Sequence, residues 1–213
     1  MISPTPPVKR WKLVGGELCL DFVNTLEWHA SPSPQERLTD YEKLLSWSRF
    51  AGILDDSEIE RLRNEASRHP ASSKAALDKA ITVREALYRI FLAIIGGQEP
   101  DASDIETVNS NLSDSLTHLQ IVPVSEGYSW RWRRDRDALD MMLWPVMQSA
   151  AELLTSARID RIGQCEDDRG CGWLFLDTSK NRSRRWCDMK ICGNRAKAHR
   201  HYKQHHYPIQ KTG

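Results

Sequence analysis

The sequence predicts a mainly α-helical protein with small β-hairpins: a helical N-terminal domain over residues 1–160 and a small metal-built module over residues 161–213. Three observations carry that prediction. Apolar residues recur at helical spacing in several segments of the first 160 residues. Two runs of alternating polarity, 119–124 and 128–133, flank Ser125-Glu126-Gly127 and read as a hairpin. Four cysteines crowd the last quarter of the chain, Cys165, Cys171, Cys187 and Cys192, in the pattern C-x5-C-x15-C-x4-C.

Taken in order, Trp11–Val14 and Glu17–Phe22 flank Gly15-Gly16 and predict a short hairpin or strand with a Gly-Gly turn. Phe22, Val23 and Leu26 then fit one face of a helix. Tyr41, Leu44, Leu45 and Trp47 form an amphipathic helix that Thr39 or Asp40 can cap and Gly52 ends. A second starts at Asp55-Asp56-Ser57 and carries Ile59, Leu62 and Ala66. The longest periodic stretch, 73–95, is stopped by Gly96-Gly97. Another helix is expected over 103–116, and a last one in the body over 135–155, with a kink at Pro145.

Within the cysteine module, 172–177 reads as a strand and 178–183 as a polar turn, so the spacer between the cysteine pairs is long enough for its own hairpin. Residues 193–206 contain neither proline nor internal glycine and predict a helix. Two short cysteine pairs, each on a turn, offer four soft ligands in the tetrahedral arrangement Zn²⁺ takes. Four thiolates leave no open position for water, so the zinc is structural rather than catalytic. The glycine after Cys171 and the one after Cys192 are read as tight turns. Cys19, among Leu18, Leu20 and Phe22, is read as core.

At 213 residues, with 40% hydrophobic and 28% charged residues, the composition is that of a soluble globular protein. No signal-like apolar run opens the chain and no segment approaches ~20 apolar residues. The expectation is a cytoplasmic protein with no membrane partner. A reducing compartment favours metal over disulfides. The net charge of +1 hides an asymmetry. Residues 161–213 hold twelve Lys/Arg against five Asp/Glu, whereas residues 1–160 hold eighteen against twenty-four. A basic end on an acidic body is the footprint of a polyanion-binding module on a regulatory domain.

Nothing in the body has the form of an active site, and no enzyme activity is expected. Gly-rich phosphate loop, GxSxG and HExxH are all missing, and His29, His69 and His118 are scattered, read as surface or capping residues.

Gly172-Trp-Leu-Phe-Leu-Asp-Thr-Ser-Lys-Asn181, Ser183-Arg-Arg-Trp-Cys187 and Cys192-Gly-Asn-Arg195 resemble the CGNR zinc-finger family. Gly15-Gly16-Glu-Leu-Cys-Leu-Asp-Phe-Val-Asn-Thr25 resembles the start of the ABATE domain that precedes this finger in bacterial proteins. The resemblance implies a zinc-ribbon or treble-clef-like finger in a stress-induced transcription regulator whose first domain binds a ligand. An older reading of similar proteins is a zinc-ribbon RNA binder. One departure is the C-x5-C pair, where a shorter knuckle is the expected form.

If the last helix starts near Cys192, ~100° per residue turns Arg195, His199 and Lys203 towards the zinc. Asn194, Lys197, Arg200, His201 and Gln204 then face outward and predict a nucleic-acid interface, with Arg182, Arg184 and Arg185 clamping the backbone and Arg195 bonding within the module or reaching a phosphate from its edge. DNA is the first expected partner. RNA is the alternative, with Trp173, Phe175 and Trp186 as candidate stacking residues. A zinc-stabilised protein-interaction module is a third reading. A small-molecule effector and a second copy of the chain complete the candidate partners. Asp21 and Asn24, polar residues in an apolar segment, either line the effector's pocket or make buried hydrogen bonds.

Overall fold

The computed structural model describes residues 10–133 and 138–206, with side chains through Tyr202. Among them the chain forms seven α-helices and three two-stranded antiparallel sheets. No helix is long and apolar enough to cross a membrane.

The body is built on α1 (Leu18–Val23), a short helix buried along almost its whole length. After it come β1 (Leu26–Glu27), paired with β2 (Gln35–Glu36), then α2 (Tyr41–Phe50), α3 (Asp56–Arg68), α4 (Pro70–Ile95) and α5 (Ala102–Leu116). Their starts follow local chemistry. The Asp40 carboxylate accepts from the Lys43 amide, and Asp55 and Glu58 form a reciprocal capping box, each cap worth about 1 kcal/mol. Pro70 opens α4, where its missing N–H has no helical partner to lose. Cys19, Leu20 and Phe22 of α1 share one core with Leu44, Trp47, Leu87, Phe91 and Met147.

The Gly15-Gly16 segment forms no hairpin. The Asp21 carboxylate accepts a 2.7 Å hydrogen bond from the Gly15 amide, folding the chain back over its own helix. A Cβ on Gly15 would lie 2.8 Å from Leu20 Cβ, so a side chain has no room at that crossing. The expected last helix of the body is also shorter than read. As α6 it covers Leu143–Leu154, and residues 135–137 of the predicted stretch lie outside the described residues. Pro145 therefore falls in the first turn, where no intrahelical bond is lost and no kink is required.

The predicted hairpin is present as β3 (Leu119–Val124) and β4 (Gly127–Trp132), with Ile121 opposite Trp130. Trp132, at its base, packs against Trp144, while Tyr128 and Trp130 are exposed near the tip. Two histidines read as surface groups stack instead: His118 on Trp144 at 3.9 Å and His29 on Tyr88 at 3.4 Å between ring centroids.

The last sheet corrects the expected topology. β6 (Leu174–Leu176) pairs with β5 (Ile162–Gln164), which precedes the first cysteine pair, and not with the spacer that follows it. The strand's own alternation explains why. Leu174 and Leu176 enter the body core beside α1, whereas Trp173 and Phe175 point to the opposite side and pack with the four cysteines. A strand buried on both faces needs a partner of low polarity, and Ile162–Gln164 supplies one. Residues 178–183 remain a polar loop, anchored by Asp177, whose carboxylate accepts from the Ser179 and Arg184 amides.

Candidate metal centre

The β5–β6 hairpin carries Cys165 and Cys171 on the knuckle between its strands. Cys187 follows the polar loop, and Cys192 lies in a π-helical turn (Met189–Gly193) that leads directly into α7 (Asn194–His206). The side chain of Asp188 caps that turn by accepting from the Lys190 and Ile191 amides.

All four Sγ atoms lie within 4.8 Å of one another, and the cysteines are buried. Cys171 and Cys187, like Cys187 and Cys192, are separated by 3.7 Å between sulfurs. That is far too long for a disulfide and close to the edge of a tetrahedron with Zn–S bonds of about 2.3 Å. Without a cation, the cluster resists multiple ionisation. Hydrogen bonds from Cys171, Cys187 and Cys192 hold the Cys165 thiol well below the ordinary range. The interaction with Cys165 pushes Cys187 and Cys192 far above it. A divalent metal resolves that conflict by stabilising all four thiolates at once. The donor set fits structural zinc, which would hold knuckle, loop and helix together. Cys19 stands apart in the body, where burial pushes its thiol up to about 12.

The long knuckle has a use that the spacing alone did not suggest. Asp167 is buried and accepts from Arg195 Nη1 at 2.8 Å, with Arg169 also paired to it. Asp168 pairs with His199, and Glu166 pairs with Arg185. The three acids thus dock the first two turns of α7 and the segment before Cys187. Trp28, held at φ 58°, lies under the guanidinium groups of both Arg169 and Arg195, at 5.3 and 5.1 Å from its ring centroid. Sequence reasoning passed over Trp28, Asp167 and Asp168. Three acids inside a cysteine pair, facing a basic helix, were the signal available for the last two.

The predicted nucleic-acid residues divide. Arg184 turns inward: its guanidinium donates to the carbonyls of Leu176, Val14, Trp186 and Cys187 and lies 4.3 Å from the Phe175 ring centroid. It ties the finger to the N-terminal segment and is not an outward clamp. Arg195 is engaged by Asp167, and Arg185 by Glu166 at the surface. Asn194 is exposed and donates to the Lys190 carbonyl. Arg182, at φ 50°, and Lys197, Arg200 and His201 are exposed. The side chain of Gln204 lies outside the described residues. Trp173 and Phe175 are buried, which removes them as platforms for bases. The two glycines also differ. Gly172 sits at φ 69° with no room for a Cβ against Ala30, as expected of a turn. Gly193 lies inside the π-helical turn, where the Met189 side chain fills the space.

Asp21 and Asn24 are both buried and bonded to protein. Asn24 faces Leu174, and the Asp21 carboxyl, bonded to Gly15, is pushed up to about 6 by burial. With Trp173 Nε1 donating to the Leu26 carbonyl and the Leu176 amide to the Gly15 carbonyl, these bonds seat β6 against the body.

No curated protein matches the chain. Residues 161–205 match the CGNR zinc finger, the segment that carries the four cysteines and most of α7. Neither this finger nor the family matched by the body is a family of enzymes. Residues 16–157, more than half of the chain, match ABATE, described as "Putative stress-induced transcription regulator", and the protein belongs to that family.

Proposed function

We propose that the protein is a zinc-dependent DNA-binding transcription regulator, in which α7 contacts the duplex and the body senses a small ligand or partner. The observation that carries this reading is the division of charge around α7. Arg195 and His199, on the side facing the knuckle, are matched by Asp167 and Asp168. Lys197 and Arg200 are exposed, with no carboxylate partner among the described residues. A helix whose inner basic side chains are paired with acids and whose outer cations are left to solvent is suited to phosphates. Arg182, Lys180 and Lys190, also exposed, extend the positive surface along the loop and turn before it.

Duplex DNA is favoured over unpaired RNA because the finger's central aromatics, Trp173 and Phe175, are buried with the cysteines and cannot stack on splayed bases. The sensing role of the body rests on its attachment: β6 lies in one core with α1, so a change in the body is felt directly by the finger.

The test is selection of bound fragments from genomic DNA with zinc-loaded protein, followed by titration of the selected duplex at several salt concentrations. About four or five phosphate contacts give a log–log salt slope of roughly −4. Binding that ignores salt, or that prefers single-stranded RNA of the same sequence, defeats the reading.

A further inference from the structure

Beside the zinc-ligating cluster lies a cavity of about 330 Å³, at the small end of the range for ligand pockets. Its apolar lining comes from Trp28 of the body, Trp173 of the finger and Ile191 of the turn that enters α7. Three of the four cysteines, Cys171, Cys187 and Cys192, also line it. Asp21 and Asn24 are not part of it.

The charged groups around this cavity are unequal in what they have left to offer. Glu27 is paired with Arg37, and the Asp188 carboxylate is engaged by two backbone amides. Arg195 is bonded to Asp167. Arg10 and Lys12 line the cavity without a carboxylate partner among the described residues; the Arg10 guanidinium lies 5.8 Å from the Phe50 ring centroid. With zinc bound, the tetrathiolate centre puts a formal charge of −2 beside the cavity. That centre repels a negative group on an occupant while Arg10 and Lys12 attract it, and Trp28, Trp173 and Ile191 suit an apolar body. Trp28, part of the wall, has a positive φ that an L-residue adopts only under constraint, a feature that concentrates at ligand clamps.

The geometry points to this cavity as the effector site, and to its ligand as a small organic acid: one carboxylate on a compact apolar or aromatic body. The inference rests on the sensing role proposed above and gives it a site and a chemical class. Ile191 and Arg195 make the link, since both line the cavity and both belong to the entry and first turn of α7. An acid seated there presses on the helix that carries Lys197 and Arg200.

Zinc-loaded full-length protein is titrated calorimetrically with indole-3-acetate, octanoate and, as the cationic counterpart of the first, tryptamine. The expected result is one site for each acid, with tryptamine weaker by about tenfold or more. The variant Arg10→Glu with Lys12→Glu should weaken both acids by a similar factor, and Ile191→Trp, which fills the cavity, should abolish them. Binding of neither acid at millimolar concentration overturns the inference. Equal binding of acid and amine overturns it too, as does loss of binding in a Tyr128→Ser, Trp130→Ser variant of the distant hairpin, or binding that arises only after residues 1–9 are removed. Duplex affinity is measured in parallel, with and without saturating acid. Acid binding by a protein with no duplex affinity leaves the site standing and removes the DNA reading; duplex binding without acid binding does the reverse.

Discussion

Asn24 and Leu174 face each other as if they were neighbours in a sheet. The Asn24 Nδ2 donates to the Leu174 carbonyl and its Oδ1 accepts from the Leu174 amide, both at 2.8 Å. A single side chain thus satisfies both polar groups of a buried strand residue, at the join between the body and the finger. Asn24→Ala strands a buried N–H and C=O and should cost about 2–3 kcal/mol. Asn24→Asp keeps the acceptor but sets a carboxylate against a carbonyl, and should cost at least as much. Urea unfolding of the zinc-loaded protein reads both; a loss below about 0.5 kcal/mol for either would show that the clamp contributes little.

Arg184 and the pair Lys197/Arg200 should separate stability from binding. Arg184→Ala removes four carbonyl contacts and should lower the unfolding temperature by several degrees, roughly what a loss of 1–2 kcal/mol produces. Lys197→Ala with Arg200→Ala should leave thermal unfolding unchanged, weaken duplex binding about tenfold or more, and flatten the salt slope by about 2. A double variant that melts earlier while keeping its salt slope would reverse this assignment.

Metal removal should unfold more than the finger. Chelation frees the knuckle, and with it the strand that closes the core beside α1. The expected outcome is a loss of thermal stability for the entire chain and faster amide exchange in α1 as well as β6. Exchange confined to residues 165–192 would argue that the body holds its core unaided.

Asp21 gives a pH signature. Burial raises its folded pKa to about 6 from the usual 3.8, against the opposing effect of the Gly15 amide and Arg184; Glu17 adds to the rise. Between those values the folded protein holds a proton that the unfolded chain has lost. The contribution of this group to stability is therefore full at low pH and declines as pH rises through about 6. Asp21→Asn keeps an acceptor for Gly15 and lacks the titration, so the variant should gain on the native protein between about pH 4 and about pH 6.5 and hold that gain above it. A difference in melting temperature that stays flat across that window would count against the assignment.

Gly172→Ala should not be tolerated. The residue is at φ 69°, and a Cβ there would sit 2.5 Å from the Ala30 amide nitrogen and 2.8 Å from its Cβ. The cost should exceed about 2 kcal/mol, seen as lost zinc retention and a lower melting temperature. Gly52→Ala, at φ 73° but with open space around it, provides the comparison for backbone strain alone.

Much of this architecture was legible in the residues. Helical spacing with Asp40, Asp55 and Gly96 as boundaries located α2, α3 and α4, because capping and periodicity are local properties. The cysteine spacing gave the metal cluster for the same reason. What escaped depended on distant partners. Nothing near Arg184 tells that its guanidinium will find Val14, 170 residues earlier. Nothing near Gly15 tells that Asp21 will hold its amide. By type the body's histidines read as surface or capping groups, yet His29 and His118, both in turns, stack on aromatic rings of α4 and α6. Pro145 suggests a kink only in a helix that begins near residue 135; α6 begins at Leu143, which leaves the proline in its first turn.

The two-faced strand β6 also dictates when the protein can finish folding. During synthesis the helices emerge first, but the core around α1 keeps an open seam until Leu174 and Leu176 arrive. The same few residues bring the knuckle that captures the metal. The nascent body therefore waits, with apolar surface uncovered, for the last quarter of its own translation. A message truncated before that point would yield a sticky fragment and not a free-standing helical domain.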